Sequence, residues 1–187
     1  MPDDDERPFP LSWLAGVALV VLGVVAVWMW VNREEAPATD LLRHAVEVAP
    51  EFRPVEITDD ADRASAFVLE QFQVVTSPPE LDGFVLLGVG PAELASGVVV
   101  PAYRYDGAQG VTVVVFSYDY PLLDEAAAEG VLTLAPEVYA RLAEPEPVDS
   151  RRQGDAYTVT WRRRSTLYTA VAPGQEVAER ILQSVRR

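Results

Sequence analysis

The sequence contains no cysteine, no lysine and a single histidine. Without thiols there is no disulfide, thiolate zinc site, iron–sulfur cluster or cysteine nucleophile. With His44 as the only imidazole, a transition-metal site would have to rest on carboxylates, and a Ser-His-Asp triad would have to be built on that residue. No G-x-S-x-G elbow accompanies it. The remaining catalytic option is a carboxylate pair from Asp59, Asp60 and Asp62 or from Asp119 and Asp124. Those residues fall at a helix start and in a polar turn, where capping accounts for them. No catalytic residue, cofactor or metal is therefore assigned, and a non-catalytic protein is expected. Positive charge is scarce as well: 15 basic residues, all arginine, stand against 29 acidic ones in 187 residues, a formal net charge of -14. A field of that sign repels phosphate backbones, so nucleic acid is excluded as a partner.

What the chain does have is an uncharged apolar run, Leu11 to Val31, in which Ser12 is the one conventionally polar residue. As a helix it would reach about 30 Å, the thickness of a bilayer's hydrocarbon core. Trp13 near one end and Trp28 and Trp30 near the other suit the membrane interfaces. The expectation is a short acidic cytoplasmic tail (1–10), a single transmembrane helix (11–31), a linker (32–39) and an extracytoplasmic domain (40–187). The bilayer is then a partner, in a bacterial cytoplasmic membrane with the N-terminus inside. Ala36-Pro37-Ala38 offers a signal-peptidase site as the competing reading. Against cleavage, the preceding residues are acidic and the apolar run is long. Gly16 and Gly23 share one face of such a helix and would admit a second copy, a homodimer through the membrane segment.

The rest reads as an α+β domain, an antiparallel sheet of about five strands with helices packed on it. Leu41, Leu42, Ala45 and Val48 recur at helical spacing, as do Ala64, Phe67, Val68 and Phe72 after an N-cap at Asp59 or Asp60, in a helix that Pro78-Pro79 should end. The period then shifts to two. Phe84 to Gly90, Gly97 to Tyr105 and Gly110 to Tyr118 read as strands, the last covered on both faces. Asp106-Gly107-Ala108-Gln109 reads as the hairpin loop joining the second to the third, with Gly107 free to take positive φ. Pro101 puts its strand at an edge or its nitrogen toward an unpaired side. Two short helices follow, closed by Gly130 and opened by Pro136. After a solvated connector at 144–147 comes an alternating pair of strands around Trp161 and Tyr168. Gln175 onward, with Val177, Ile181 and Val185 at i, i+4 and i+8, is a closing amphipathic helix.

Arg162, Arg163 and Arg164 break the acidic pattern between the two alternating runs. They read as a solvated turn that discourages edge association, or as three guanidiniums holding an anion such as a lipid headgroup or wall polymer. Trp161 and Tyr168 read as a cross-strand aromatic pair, or as a stacking platform. With the three arginines they are the candidate ligand or partner contacts.

"SPPELDGFVLLGVGPAEL", "PAYRYDGAQGVTVVVF", "YTVTWRRRSTLYTAVA" and "EVAERILQSV", in that order, resemble the extracytoplasmic domain of bacterial transmembrane anti-sigma factors. The resemblance covers roughly Asp59 to Val185. It implies a membrane-tethered, sensor-like or protein-binding domain accessory to an envelope-stress circuit, with a protein partner in the envelope. Two departures accompany it. Arg163, Arg164 and Ser165 stand where that family usually turns on glycine, and the ten residues before the apolar run leave no room for a cytoplasmic sigma-binding domain.

Overall fold

A computed structural model describes residues 38–95 and 97–186. The expected membrane span, with Trp13, Trp28 and Trp30 and the glycine face, lies outside the described residues. Among the described residues no helix is long and apolar enough to cross a membrane. The domain is α+β, with an antiparallel sheet of seven strands rather than about five. The expected count of about five strands is thereby corrected to seven, and none of the described helices packed on the sheet is a membrane-crossing one.

In chain order the elements are β1 (Thr39–Asp40), α1 (Leu41–Val48), β2 (Glu56–Ile57), α2 (Ala61–Phe72), β3 (Phe84–Ala95), β4 (Val98–Gly107) and β5 (Thr112–Asp119). They continue with α3 (Tyr120–Ala128), β6 (Leu132–Thr133), α4 (Pro136–Leu142), β7 (Val148–Gln153), β8 (Ala156–Arg163), β9 (Thr166–Ala172) and α5 (Gln175–Val185). The large sheet runs β2-β3-β4-β5-β9-β8-β7, two three-stranded meanders joined edge to edge through β5 and β9, with β2 added outside. β1 and β6 pair separately and in parallel. Thr39, expected in the linker, thus already belongs to the fold.

Strand alternation sends two sets of side chains to opposite faces. On one face Ala102, Val114, Phe116, Leu167 and Val171 pack with Leu41, Leu42 and Ala45 of α1, Leu123 of α3 and Val138 and Leu142 of α4. On the other, Tyr103, Tyr105, Val113, Val115, Tyr168 and Ala170 pack with Ala64 and Val68 of α2 and Ala178 and Ile181 of α5. The central strand β5 is buried from Val113 to Tyr118, as the apolar run Val113 to Phe116 led one to expect. Each such fully buried aliphatic or aromatic side chain contributes about 1.5–3 kcal/mol.

Local details follow the residue chemistry. Asp60 caps α2, its carboxylate accepting from the Asp62 and Arg63 amides at 2.8 and 3.3 Å. α2 ends at Phe72, with Gln73 left-handed at φ 56, well before the proline pair expected to stop it. Gly107 is extended at φ -106; the positive φ of that loop falls on Gln109 (63) and Gly110 (73). Pro101 lies inside β4 rather than at a sheet edge, opposite Pro91. The β4–β5 ladder stops one residue short of it, at Ala102–Phe116, so no sheet bond is asked of its nitrogen. Gly88, at φ +155 beside a bulge in β3, lets β2 lie close. A Cβ there would run into the Glu56 carbonyl oxygen and stand 2.9 Å from the Pro54 Cβ.

Candidate functional site

The arginine triplet is a turn. β8 and β9 pair through Arg163↔Thr166, leaving Arg164 and Ser165 as a two-residue loop with Arg164 at φ 59. Arg162 and Arg163 are successive strand residues and point to opposite faces, so the three guanidiniums diverge. Arg162 lies over the Tyr120 ring, 5.7 Å from its centroid, and Arg163 and Arg164 are exposed. Trp161 and Tyr168 are directly paired across the strands and stack with centroids 5.3 Å apart and an interplanar angle of 16°. Each is 5% exposed. The Tyr168 hydroxyl lies 2.9 Å from Thr76 Oγ1 and donates to the Ser77 carbonyl at 3.1 Å. The aromatic pair therefore belongs to the core and ties the segment after α2 to the sheet.

A large concavity lies elsewhere, an open groove of about 800 Å³. Its floor is the sheet, with Arg104 from β4, Thr112 and Val114 from β5, Ala156 from β8 and Val171 from β9. One wall is the end of α1 and the turn after it, carrying Arg43, Val46, Glu47, Pro50 and Arg53. Gln153 at the end of β7, the Gly154-Asp155 turn and Pro173 form the other. The groove is thus at the end of β8 remote from the arginine turn, roughly 20 Å away at the strand rise per residue.

Its charges are unevenly engaged. Arg43 pairs with Glu47 at 3.1 Å, and that hydrogen bond, with a second from His44, holds the Glu47 carboxyl below its usual range. Arg53 directs Nη1 to the carbonyls of Pro50 and Phe52 at 3.0 and 2.9 Å and, among the described residues, has no carboxylate partner. Arg104 has none either, and its Nε is sealed from solvent without a hydrogen bond. On so acidic a protein, two guanidiniums in one groove with no ion pair among the described residues form a local positive site, only partly offset by Asp155 on the far wall. The apolar lining from Val46, Ala49, Pro50, Val114, Ala156, Val171 and Pro173 adds a hydrophobic surface beside them.

Arg104 was not among the sequence candidates, although a signal for it exists. Val100, Ala102 and Arg104 share one parity of β4, and the first two belong to the core that α1 covers. A charge on a core-facing parity is either paired or serves a site.

Elsewhere, Arg151 on the edge strand β7 is clamped by both Asp149 oxygens, at 2.7 and 2.9 Å, and by Glu137 at 3.0 Å. This network is closed on itself and explains why a polar strand can end the sheet. Among the described residues no three His, Asp or Glu side chains converge on a metal-sized site.

Comparison with protein-family models, with curated proteins and with solved structures finds no match to this chain.

Proposed function

We propose that the folded domain is a non-catalytic binding domain, tethered to the membrane through the apolar run 11–31, and that it captures its ligand or partner in the groove between α1 and the β7–β8 turn. The observation that carries this reading is the presence of two guanidiniums, Arg53 and Arg104, without carboxylate partners among the described residues, in one large groove of a strongly acidic protein. Concave sites with an apolar lining and a few convergent polar groups are where proteins hold ligands. Location in the bacterial envelope and a role accessory to stress signalling are what the resemblance to anti-sigma factor domains implies.

The test places a photoreactive benzoylphenylalanine at Asp155, on the groove rim, and in a second full-length chain at Arg163, in the turn. Each is irradiated in cells, purified and weighed by mass spectrometry. The reading expects an adduct from the rim that the turn does not give. Adducts from the turn alone would move the binding surface to the arginines, and no adduct from the rim would remove the groove as a binding site. Fractionation of the same cells tests tethering, since a chain recovered free of membranes is not anchored by 11–31.

A further inference from the structure

We infer that the groove selects a small amphipathic monocarboxylate, an acid whose apolar body lies on Val46, Val114 and Val171 while its carboxylate meets Arg104 and Arg53. This rests on the groove being the binding site and adds the chemical class of what enters it.

Three observations converge on that class. Arg104 stands on the groove floor, among the described residues no carboxylate forms an ion pair with it, and its enclosed Nε has no hydrogen-bond partner. An anion arriving from the groove supplies the missing counter-charge, and guanidinium and carboxylate match as a planar fork. Arg53 stands on the adjoining wall with its Nη1 held by two backbone carbonyls, which orients it without neutralising it. The third positive group, Arg43, is already satisfied by Glu47. The site therefore provides for about one anionic group and no more.

Polyanions are disfavoured by the rest of the molecule. A chain of net charge -14 repels each additional negative charge that a nucleic acid, teichoic polymer or anionic bilayer would bring within a Debye length of about 8 Å. Asp155 on the far wall adds repulsion at the rim. A monoanion meets the two guanidiniums with the least of that repulsion. What remains of the groove is lined largely by aliphatic carbon and proline, and a volume of about 800 Å³ accommodates a body of drug size. An acid with no apolar body would leave that lining in water.

The experiment uses the full chain in nanodiscs of zwitterionic lipid, with empty discs as the blank that removes partitioning into the bilayer. Octanoate, its uncharged isostere octanamide, and inorganic phosphate are titrated calorimetrically. Octanoate is expected to bind at about 0.1–1 mM, in keeping with roughly ten non-hydrogen atoms, and at least tenfold more tightly than octanamide. Arg104→Met should weaken octanoate roughly ten- to hundredfold and leave octanamide unchanged. Near-ultraviolet circular dichroism of the buried Trp161 checks that the variant is folded. Should it not be, Arg53→Gln at an exposed position is read the same way and is expected to weaken octanoate several-fold.

Equal binding of octanoate and octanamide would overturn the carboxylate assignment and leave an apolar groove. Phosphate binding without octanoate binding would overturn the amphipathic assignment and leave an anion site. Binding of none of the three would overturn the inference altogether, while the rim adduct formed in cells tests separately whether the groove binds anything.

Discussion

Replacing Arg104 by methionine should make the domain more stable. A buried polar group without a partner costs about 1–3 kcal/mol of desolvation, more if charged, and the Arg104 Nε is such a group. The rest of the guanidinium borders the groove and keeps part of its hydration, so the lower half of that range applies, about 1–2 kcal/mol. Methionine keeps the unbranched stem that packs on the sheet, and a substitution of similar volume in a packed setting usually costs little. The opposing effect is long-range, since Arg104 is attracted by the acid surface around it, but at 0.5 M salt that attraction is screened over a few ångströms. Urea unfolding of the full chain in nanodiscs, followed by Trp fluorescence at 0.15 and 0.5 M salt, should show a gain of about 1–2 kcal/mol at the higher salt. A gain of that size raises the melting temperature by roughly 2–8 °C in a domain of this length. A loss of more than about 1 kcal/mol at high salt would mean that the guanidinium is satisfied in the folded protein, and the case for an anion in the groove would fall with it. A charge retained against stability is what a binding residue looks like.

The other predictions concern the elements around that site. Trp161→Ala should destabilise by about 3–5 kcal/mol and Tyr168→Phe by about 1–2 kcal/mol, because the stack is buried and the hydroxyl bridges to Thr76 and Ser77; near-wild-type unfolding midpoints in urea would contradict the core assignment. Arg164→Gly should be neutral or stabilise by up to about 1 kcal/mol, as glycine relieves the left-handed strain at φ 59 and gives back part of the gain in unfolded-chain entropy, and a loss beyond 1 kcal/mol would show that the side chain is held by something. Burial raises the phenols of Tyr103, Tyr105 and Tyr118 above the ordinary value. The unfolded chain therefore releases those protons first, and stability is full below about pH 10 and lost as pH rises beyond it. Absorbance at 295 nm should show these three ionising only together with cooperative unfolding; free titration near pH 10 in the folded protein would refute their burial.

The sequence made the interior legible and the periphery much less so. Val113 to Tyr118 announced a strand covered on both faces because every one of those positions is apolar or aromatic apart from Ser117, and it lies at the sheet centre. Asp60, Gly130 and Pro136 marked helix ends because each has a specific backbone role, and all three hold it. The β7 strand left no such trace. "VDSRRQ" buries little beyond Asp149 and is kept in the sheet by its ladder to β8 and by the Arg151 clamp, neither of which has a period. β2 and β6 are two residues each, too short for alternation to register. The groove was hidden for a related reason. It is assembled from residues of α1, four strands and a turn that are distant in the chain, and only the parity of Arg104 hinted at it. The three adjacent arginines drew attention by composition, yet adjacency on a strand separates side chains instead of gathering them.

The edge-to-edge joint between β5 and β9 has a consequence for how the chain is made. Each meander is built from neighbours in sequence, but β5 finds β9 only after α3, β6, α4, β7 and β8 have been synthesised. At ribosomal speeds of about 5–20 residues per second, the interval is a few seconds. During it one edge of β5 is open, and it bears the uncharged, β-branched run Val113-Val114-Val115-Phe116, the composition that seeds intermolecular strand pairing. A chain stopped after Pro147 would keep that edge open for good and should aggregate on release, whereas the same truncation carrying Val115→Lys should stay dispersed in sedimentation. The joint that closes the native sheet is thus also what removes an aggregation-prone edge from the finished chain.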